Sequence, residues 1–142
     1  MSLHAVAKVV IDTNVLFEGL TQQDGAAGLV VDAWLADLVI VCVSNAVAYE
    51  YMDVLSRKLS DKRWQELRLV LGALLAKVQF VTVYYSWRPS SPDSGDEHII
   101  DCAMNAGAAL ITANTRHFRN AKISLGLEVM TPVEFAVRLA KE

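Results

Sequence analysis

Apolar and polar positions divide the chain into short runs whose period changes from one stretch to the next. Val6 to Ile11 is a β-branched run that stops at Asp12-Thr13-Asn14, which predicts a buried strand followed by a turn or helix cap. From Gly25 to Leu38, the apolar residues Leu29, Val30, Ala33, Trp34 and Leu38 recur at steps of three and four, the period of an amphipathic helix. Leu38 to Val43 is continuously apolar, as in a strand covered on both faces, and ends at Ser44-Asn45. Two helices are predicted next. Ala46 to Leu59 is spaced by Val47, Tyr51, Val54 and Leu55, and Asp61 to Lys77 by Trp64, Leu67, Leu71 and Leu74.

A third strand is expected over Gln79 to Tyr84, and Ser86 to Gly95 has the proline, serine and aspartate content of a loop. A short helix from Asp96 to Asn105 leads through Gly107 into a fourth strand, Ala109 to Thr112. Leu127 to Met130 reads as a fifth strand. After it, Thr131 fits an N-cap, Pro132 the first helical position and Glu134 the reciprocal capping partner. Strands alternating with helices imply right-handed crossovers, hence a three-layer α/β/α, Rossmann-like architecture around a mostly parallel sheet. Ligands of such sheets sit beyond the carboxyl ends of the strands.

The 142 residues suit a single domain, 1–142, and 54% hydrophobic against 20% charged residues excludes a disordered chain. Mean hydropathy is +0.31, yet the longest stretch without a charged residue, Cys102 to Thr115, is too short and too polar to span a bilayer. No secretory leader is evident, and Cys42 and Cys102 lie in apolar surroundings suited to reduced thiols, so a cytoplasmic protein with no membrane partner is expected. A net charge of −3 supplies no general attraction to nucleic acid.

Chemistry enters at the strand ends. Asp12 follows the first strand, Ser44-Asn45 and then Glu50 the second, Asp96-Glu97 the loop beyond the third, and Asn114 the fourth. Carboxylates gathered at one edge repel unless a cation offsets them, and an oxygen-only donor set favours Mg²⁺ or Mn²⁺ over zinc. Such an ion acidifies water and neutralises a leaving oxygen, chemistry that fits phosphodiester hydrolysis.

Four stretches, Ile11-Asp12-Thr13-Asn14-Val15-Leu16, Tyr49 to Leu55, Asp96 to Ala103 and Leu110 to Phe118, resemble in order the PIN domain, in the version found as the toxin of bacterial VapBC-type toxin–antitoxin pairs. The resemblance implies a PIN-like fold and a metal-dependent endoribonuclease, usually a homodimer, restrained by a cognate antitoxin. It places Asp12, Glu50 and Asp96 as metal-holding catalytic acids, with Glu97 as the third acid if the register slips by one. The family's fourth acid falls on Asn114, whose amide brings no charge and favours one-metal or weak two-metal operation. Thr13 and Asn14 are expected to shape the turn around Asp12, and Ser44 and Arg116 are weaker candidates for support or RNA contact.

Each residue also has an ordinary role. Asp12 alone reads as a helix cap, Asp96 or Glu97 as a charge favouring a helix N-terminus, and Asp53 and Asp101 as surface residues. His98 and His117 lack the partners of a triad or zinc site. The competing functions are a non-catalytic PIN-like module binding RNA or protein through a degenerate metal site, and a Mg²⁺-dependent phosphotransfer domain. The latter lacks a lysine near Asn114 before Lys122.

Overall fold

The structure is a computed structural model that describes residues 7–87 and 96–141. Val9, Val10 and Ile11 are completely buried although neighbouring strand residues point to opposite faces, so the strand they form is covered on both sides. This strand, β1 (Lys8–Ile11), is the centre of a five-stranded sheet. Its partners are β2 (Ile40–Val43) on one side and β4 (Ala109–Ile111) on the other, with β3 (Gln79–Phe80) and β5 (Val129–Met130) at the edges. The order is β3-β2-β1-β4-β5 and every pairing is parallel. Val9 stands opposite Val41 and Ala109, and Ile11 opposite Ile111, which brings the ends of β1 and β4 level.

The intervening helices are α1 (Thr13–Thr21), α2 (Ala26–Leu35), α3 (Asn45–Lys58), α4 (Asp61–Leu75), α5 (Glu97–Ala106), α6 (Arg119–Leu125) and α7 (Pro132–Ala140). Helix α5 packs on β1, β2 and β4 and also meets α3, so the two helices carrying the candidate acids are neighbours. The Trp34 indole donates to the Leu74 carbonyl at 3.1 Å and ties α2 to α4. Helix α5 stops at Gly107, whose φ of +64° is a left-handed conformation suited to glycine, and the chain turns directly into β4. The capping box foreseen at α7 is formed in full: Glu134 N–H donates to Thr131 Oγ1, and Thr131 N–H to Glu134 Oε1.

Several expectations need correction. A helix, α1, precedes the one expected after β1, and α1 and α2 approach so closely that a Cβ at Gly19 would lie 2.6 Å from the Ala27 carbonyl oxygen. Leu29 and Leu38 are exposed, because α2 ends at Leu35 and turns its Val30, Val31, Ala33 and Trp34 inward. The third strand keeps only Gln79 and Phe80 in the ladder; the rest of the expected run, through Tyr84, leaves regular structure after Val81 bonds to Val43. A 3-10 turn (Thr115–Phe118) and α6 fill the stretch after β4 that carried no prediction. Val6, and positions 88–95 of the expected loop, lie outside the described residues. Among the described residues no helix is long and apolar enough to cross a membrane.

Candidate active site at the carboxyl edge

Because β1 and β4 end level, the residues that follow them meet. The backbone N–H of Asp12 donates to the Ile111 carbonyl at 2.9 Å, extending the ladder one residue past the strand. Asp12 is the N-cap of α1, and its Oδ1 accepts the Thr13 N–H at 2.8 Å. Its Oδ2 accepts the hydroxyl of the fully buried Thr112 at 2.7 Å. The ordinary capping role and the candidate chemical role therefore coexist on the two oxygens of one carboxylate.

Helix α3 supplies the second acid. Its Tyr51 hydroxyl donates to the carbonyl of Ile11, anchoring the helix against the end of β1. Adjacent on the same helix, Glu50 accepts the Thr13 hydroxyl on Oε2 at 2.9 Å. Thr13 thus contacts both acids, Asp12 through its backbone and Glu50 through its side chain. Burial raises the Asp12 pKa; the hydrogen bonds from Thr112 and Thr13 oppose this, the Glu50 charge adds to it, and His117 lowers it slightly. Among the described residues no lysine or arginine forms an ion pair with Asp12 or Glu50.

Asp96 immediately precedes α5, and its Oδ2 lies 3.7 Å from Nδ1 of His117. His117, on the 3-10 turn after β4, is therefore placed between Asp96 and the field of Asp12. Glu97 is buried and helical spacing carries it onto the stripe of Asp101 and Asn105, which faces residues 84–86. Asp101 corrects an expectation: it is 3% exposed rather than on the surface, because Ser86 folds back to donate to its Oδ2 at 3.3 Å.

Asn114 is exposed, and joins the group through its backbone N–H, which donates to Thr112 Oγ1 at 3.0 Å. Asn14 is half-buried in the first turn of α1, and its buried Oδ1 has no hydrogen-bond partner among the described residues. Ser44 is the N-cap of α3, accepting the Val47 N–H at 3.3 Å, a helix-capping role. Arg116 is exposed and shares a cleft of about 230 Å³ with Arg119 and Lys122. Asp53 pairs with Arg57 on the surface, as expected. Thr112 is the residue that sequence reasoning passed over; the only signal was a hydroxyl at the end of an apolar strand, beside the end of the strand that carries Asp12.

The donor set suits a divalent cation. Hard carboxylate oxygens with no lysine or arginine among the described residues paired to Asp12 or Glu50, and a Glu50 charge that disfavours ionisation of Asp12, match what Mg²⁺ or Mn²⁺ offsets. Among the described residues, no three His, Cys, Asp or Glu side chains are already drawn together tightly enough to hold a metal. The residues fit such an ion with part of its shell left to water, as Mg²⁺ commonly retains.

A family model of the PIN domain matches residues 8–116. Among solved structures, VapBC2 of Rickettsia felis, bound to a DNA fragment from its promoter, superposes with a TM-score of 0.62 at 14% identity, covering 87% of this chain and 98% of that one. FitAcB of Neisseria gonorrhoeae gives 0.62 at 20% identity, covering 87% and 97%. PAE2754 of Pyrobaculum aerophilum gives 0.63 at 15% identity, covering 96% and 91%. Identities this low speak for the fold alone. No curated protein matches the sequence.

Proposed function

Because the chain belongs to the PIN domain family, a family of nucleases, we propose that it is a metal-dependent endoribonuclease acting as the toxin of a toxin–antitoxin pair. The observation that carries this reading is the Thr13 bridge, which holds Glu50 beside Asp12 without neutralising either. Asp12, Glu50 and Asp96 would hold Mg²⁺ or Mn²⁺, with Glu97 the alternative to Asp96. The ion would supply positive charge at the scissile phosphate and a more acidic water.

The chain's own residues do the rest. Thr112 and Thr13 donate to Asp12 and favour its ionised form, the form that binds a cation, against the burial that opposes it. Thr13 also fixes the Glu50 rotamer. The Asn114 amide can orient water or a phosphate oxygen but adds no charge. Arg116, Arg119 and Lys122 line one cleft beyond β4 and offer cations to the RNA backbone on leaving the site.

The names of the VapBC2 and FitAcB neighbours support a cognate antitoxin as partner, and the reading includes a homodimer in the cytoplasm. The second reading, a non-catalytic module, is favoured by one observation: Asn114 stands uncharged and exposed at the fourth-acid position. The experiment that separates them is cleavage of a mixed single-stranded RNA with Mn²⁺, with Mg²⁺ and with EDTA, wild type beside Asp12→Asn. Cleavage that needs metal and vanishes in the variant establishes the nuclease; RNA binding without turnover in either protein establishes the module.

A further inference from the structure

A second cleft, of about 440 Å³, opens on the same carboxyl edge, lined among others by Ser44, Asn45, Phe80, Val83, His98 and Asp101. It shares α3 and α5 with the carboxylate group, since Asn45 begins the helix that carries Glu50 and His98 lies two residues beyond Asp96. Its lining mixes polar side chains such as Asn45 and His98 with Phe80 and Val83, and from Val83 the chain runs directly into Tyr84 and Tyr85, whose rings face solvent. Tyr84 and Tyr85 are 79% and 70% exposed.

These rings do not sit on a loose loop. Asn105 Oδ1 accepts the N–H groups of both Tyr84 and Tyr85, at 3.0 and 3.1 Å, while its Nδ2 donates to the Tyr85 carbonyl at 2.9 Å and to the Asp101 carbonyl at 2.7 Å. Ser86 is tied to Asp101, and the Tyr85 ring lies against Trp87 with centroids 6.2 Å apart. One asparagine side chain therefore fixes the backbone beneath two exposed rings, so that little backbone freedom remains to be lost when a ligand stacks on them.

We infer that Tyr84, Tyr85 and the adjoining cleft form a subsite for an unpaired base of single-stranded RNA next to the scissile phosphate; the inference rests on the ribonuclease reading. A chain of net charge −3 lacks the broad electrostatic attraction that supplies most non-specific nucleic-acid binding. Stacking on aromatic faces is a sequence-tolerant contribution that needs no net positive charge, and exposed, pre-positioned rings supply it. The exposed Asn45 amide offers hydrogen bonds to a base edge. A protein partner covering the rings and cleft with apolar side chains would instead strip water from the exposed Asn45 amide, which is unfavourable.

The test uses the full chain and a fluorescein-labelled, unstructured twelve-nucleotide RNA, with anisotropy read in EDTA so that binding is separated from turnover. The double variant Tyr84→Ala/Tyr85→Ala should bind about tenfold more weakly or worse, Tyr84→Phe/Tyr85→Phe should bind as wild type, and salt should weaken wild-type binding only gently. Both rings are exposed, so the alanine pair should keep the wild-type melting curve. Wild-type affinity in the alanine pair, with Asp12-dependent cleavage intact, overturns the subsite and leaves the ribonuclease standing. The same affinity with a changed molecular mass by light scattering also overturns it and assigns the rings to a protein contact. Failure of wild type both to bind and to cleave RNA removes the ribonuclease reading, and the subsite with it.

Discussion

The hydroxyl of Thr112 donates to Asp12 across 2.7 Å while its oxygen accepts the N–H of Asn114 at 3.0 Å. The single hydroxyl proton is thereby committed to the carboxylate, and it opposes the burial that raises the Asp12 pKa. Thr112→Val removes the donor at nearly constant volume. We expect cleavage to fall about 10–100-fold and the acid limb of the rate profile to move to higher pH. An unchanged profile measured from pH 5 to 8 would show that Thr112 does not tune Asp12.

Asp12→Asn should abolish cleavage and keep the fold. The amide oxygen can retain the Thr13 N–H while the amide N–H donates to a rotated Thr112 hydroxyl. The stability effect has a definite sign. The folded pKa is raised above 3.8, so the contribution of Asp12 is fully present below that value and lost as pH rises through the folded pKa. In EDTA at pH 7 the variant should therefore resist urea better than wild type, and adding Mn²⁺ should narrow the gap by stabilising only the wild type. Equal urea midpoints in EDTA would contradict a burial cost on the Asp12 carboxylate.

Thr13→Val keeps the shape of the first helical residue and releases Glu50. The loss to stability should be small, since Glu50 is half-exposed and can be solvated, whereas the Mn²⁺ concentration giving half-maximal cleavage should rise about 10–100-fold. A metal titration of the rate checks this directly.

Asn114→Asp adds the missing charge at the edge of the group. Tighter Mn²⁺ binding, by about tenfold, and faster cleavage are expected, because affinity for hard cations follows the count of charged ligands. Isothermal titration on wild type and variant gives the comparison; no gain would mean that position 114 stands too far out to share an ion.

Thr131→Ala breaks the capping box at the far end of the chain. It should cost about 0.5–2 kcal/mol in urea unfolding and leave cleavage per folded molecule unchanged. Thr131 also holds the Glu134 carboxyl below its ordinary value of 4.5, so the stability this carboxylate brings is present above pH 4.5 and disappears as pH falls through the lowered value. The Thr131→Ala deficit should accordingly shrink in acid.

The strands could be read from the sequence because both faces of the sheet are buried, so that β1, β2 and β4 are plain apolar runs. The box at Thr131 was equally legible, being a local device that needs no tertiary contact. Helix α1 was not: its seating depends on a close approach to α2, where a Cβ at Gly19 would meet Ala27 and Val31, and that tertiary contact leaves no local pattern. Asp101 was misplaced for the same reason, since its burial depends on a segment some fifteen residues earlier folding back over α5. Asp12, Glu50 and Asp96 were singled out from strand ends and resemblance. The structure joins Asp12 and Glu50 through Thr13, and places Asp96 beside His117. Thr112 escaped because its significance lies wholly in a partner 100 positions away.

The central place of β1 has a bearing on synthesis. Asp12, Glu50 and Asp96 all leave the ribosome before β4, but two of the bonds that seat Asp12, from its N–H to the Ile111 carbonyl and from the Thr112 hydroxyl to its Oδ2, come from residues made later. A chain interrupted before β4 carries all three acids and the Thr13 bridge, but it lacks the Thr112 hydroxyl on Asp12 and the strand that pairs with the end of β1. If this is a ribonuclease, an unfinished copy is harmless to the translating machinery that surrounds it, and the capacity to cut appears only when nearly all of the protein has been made.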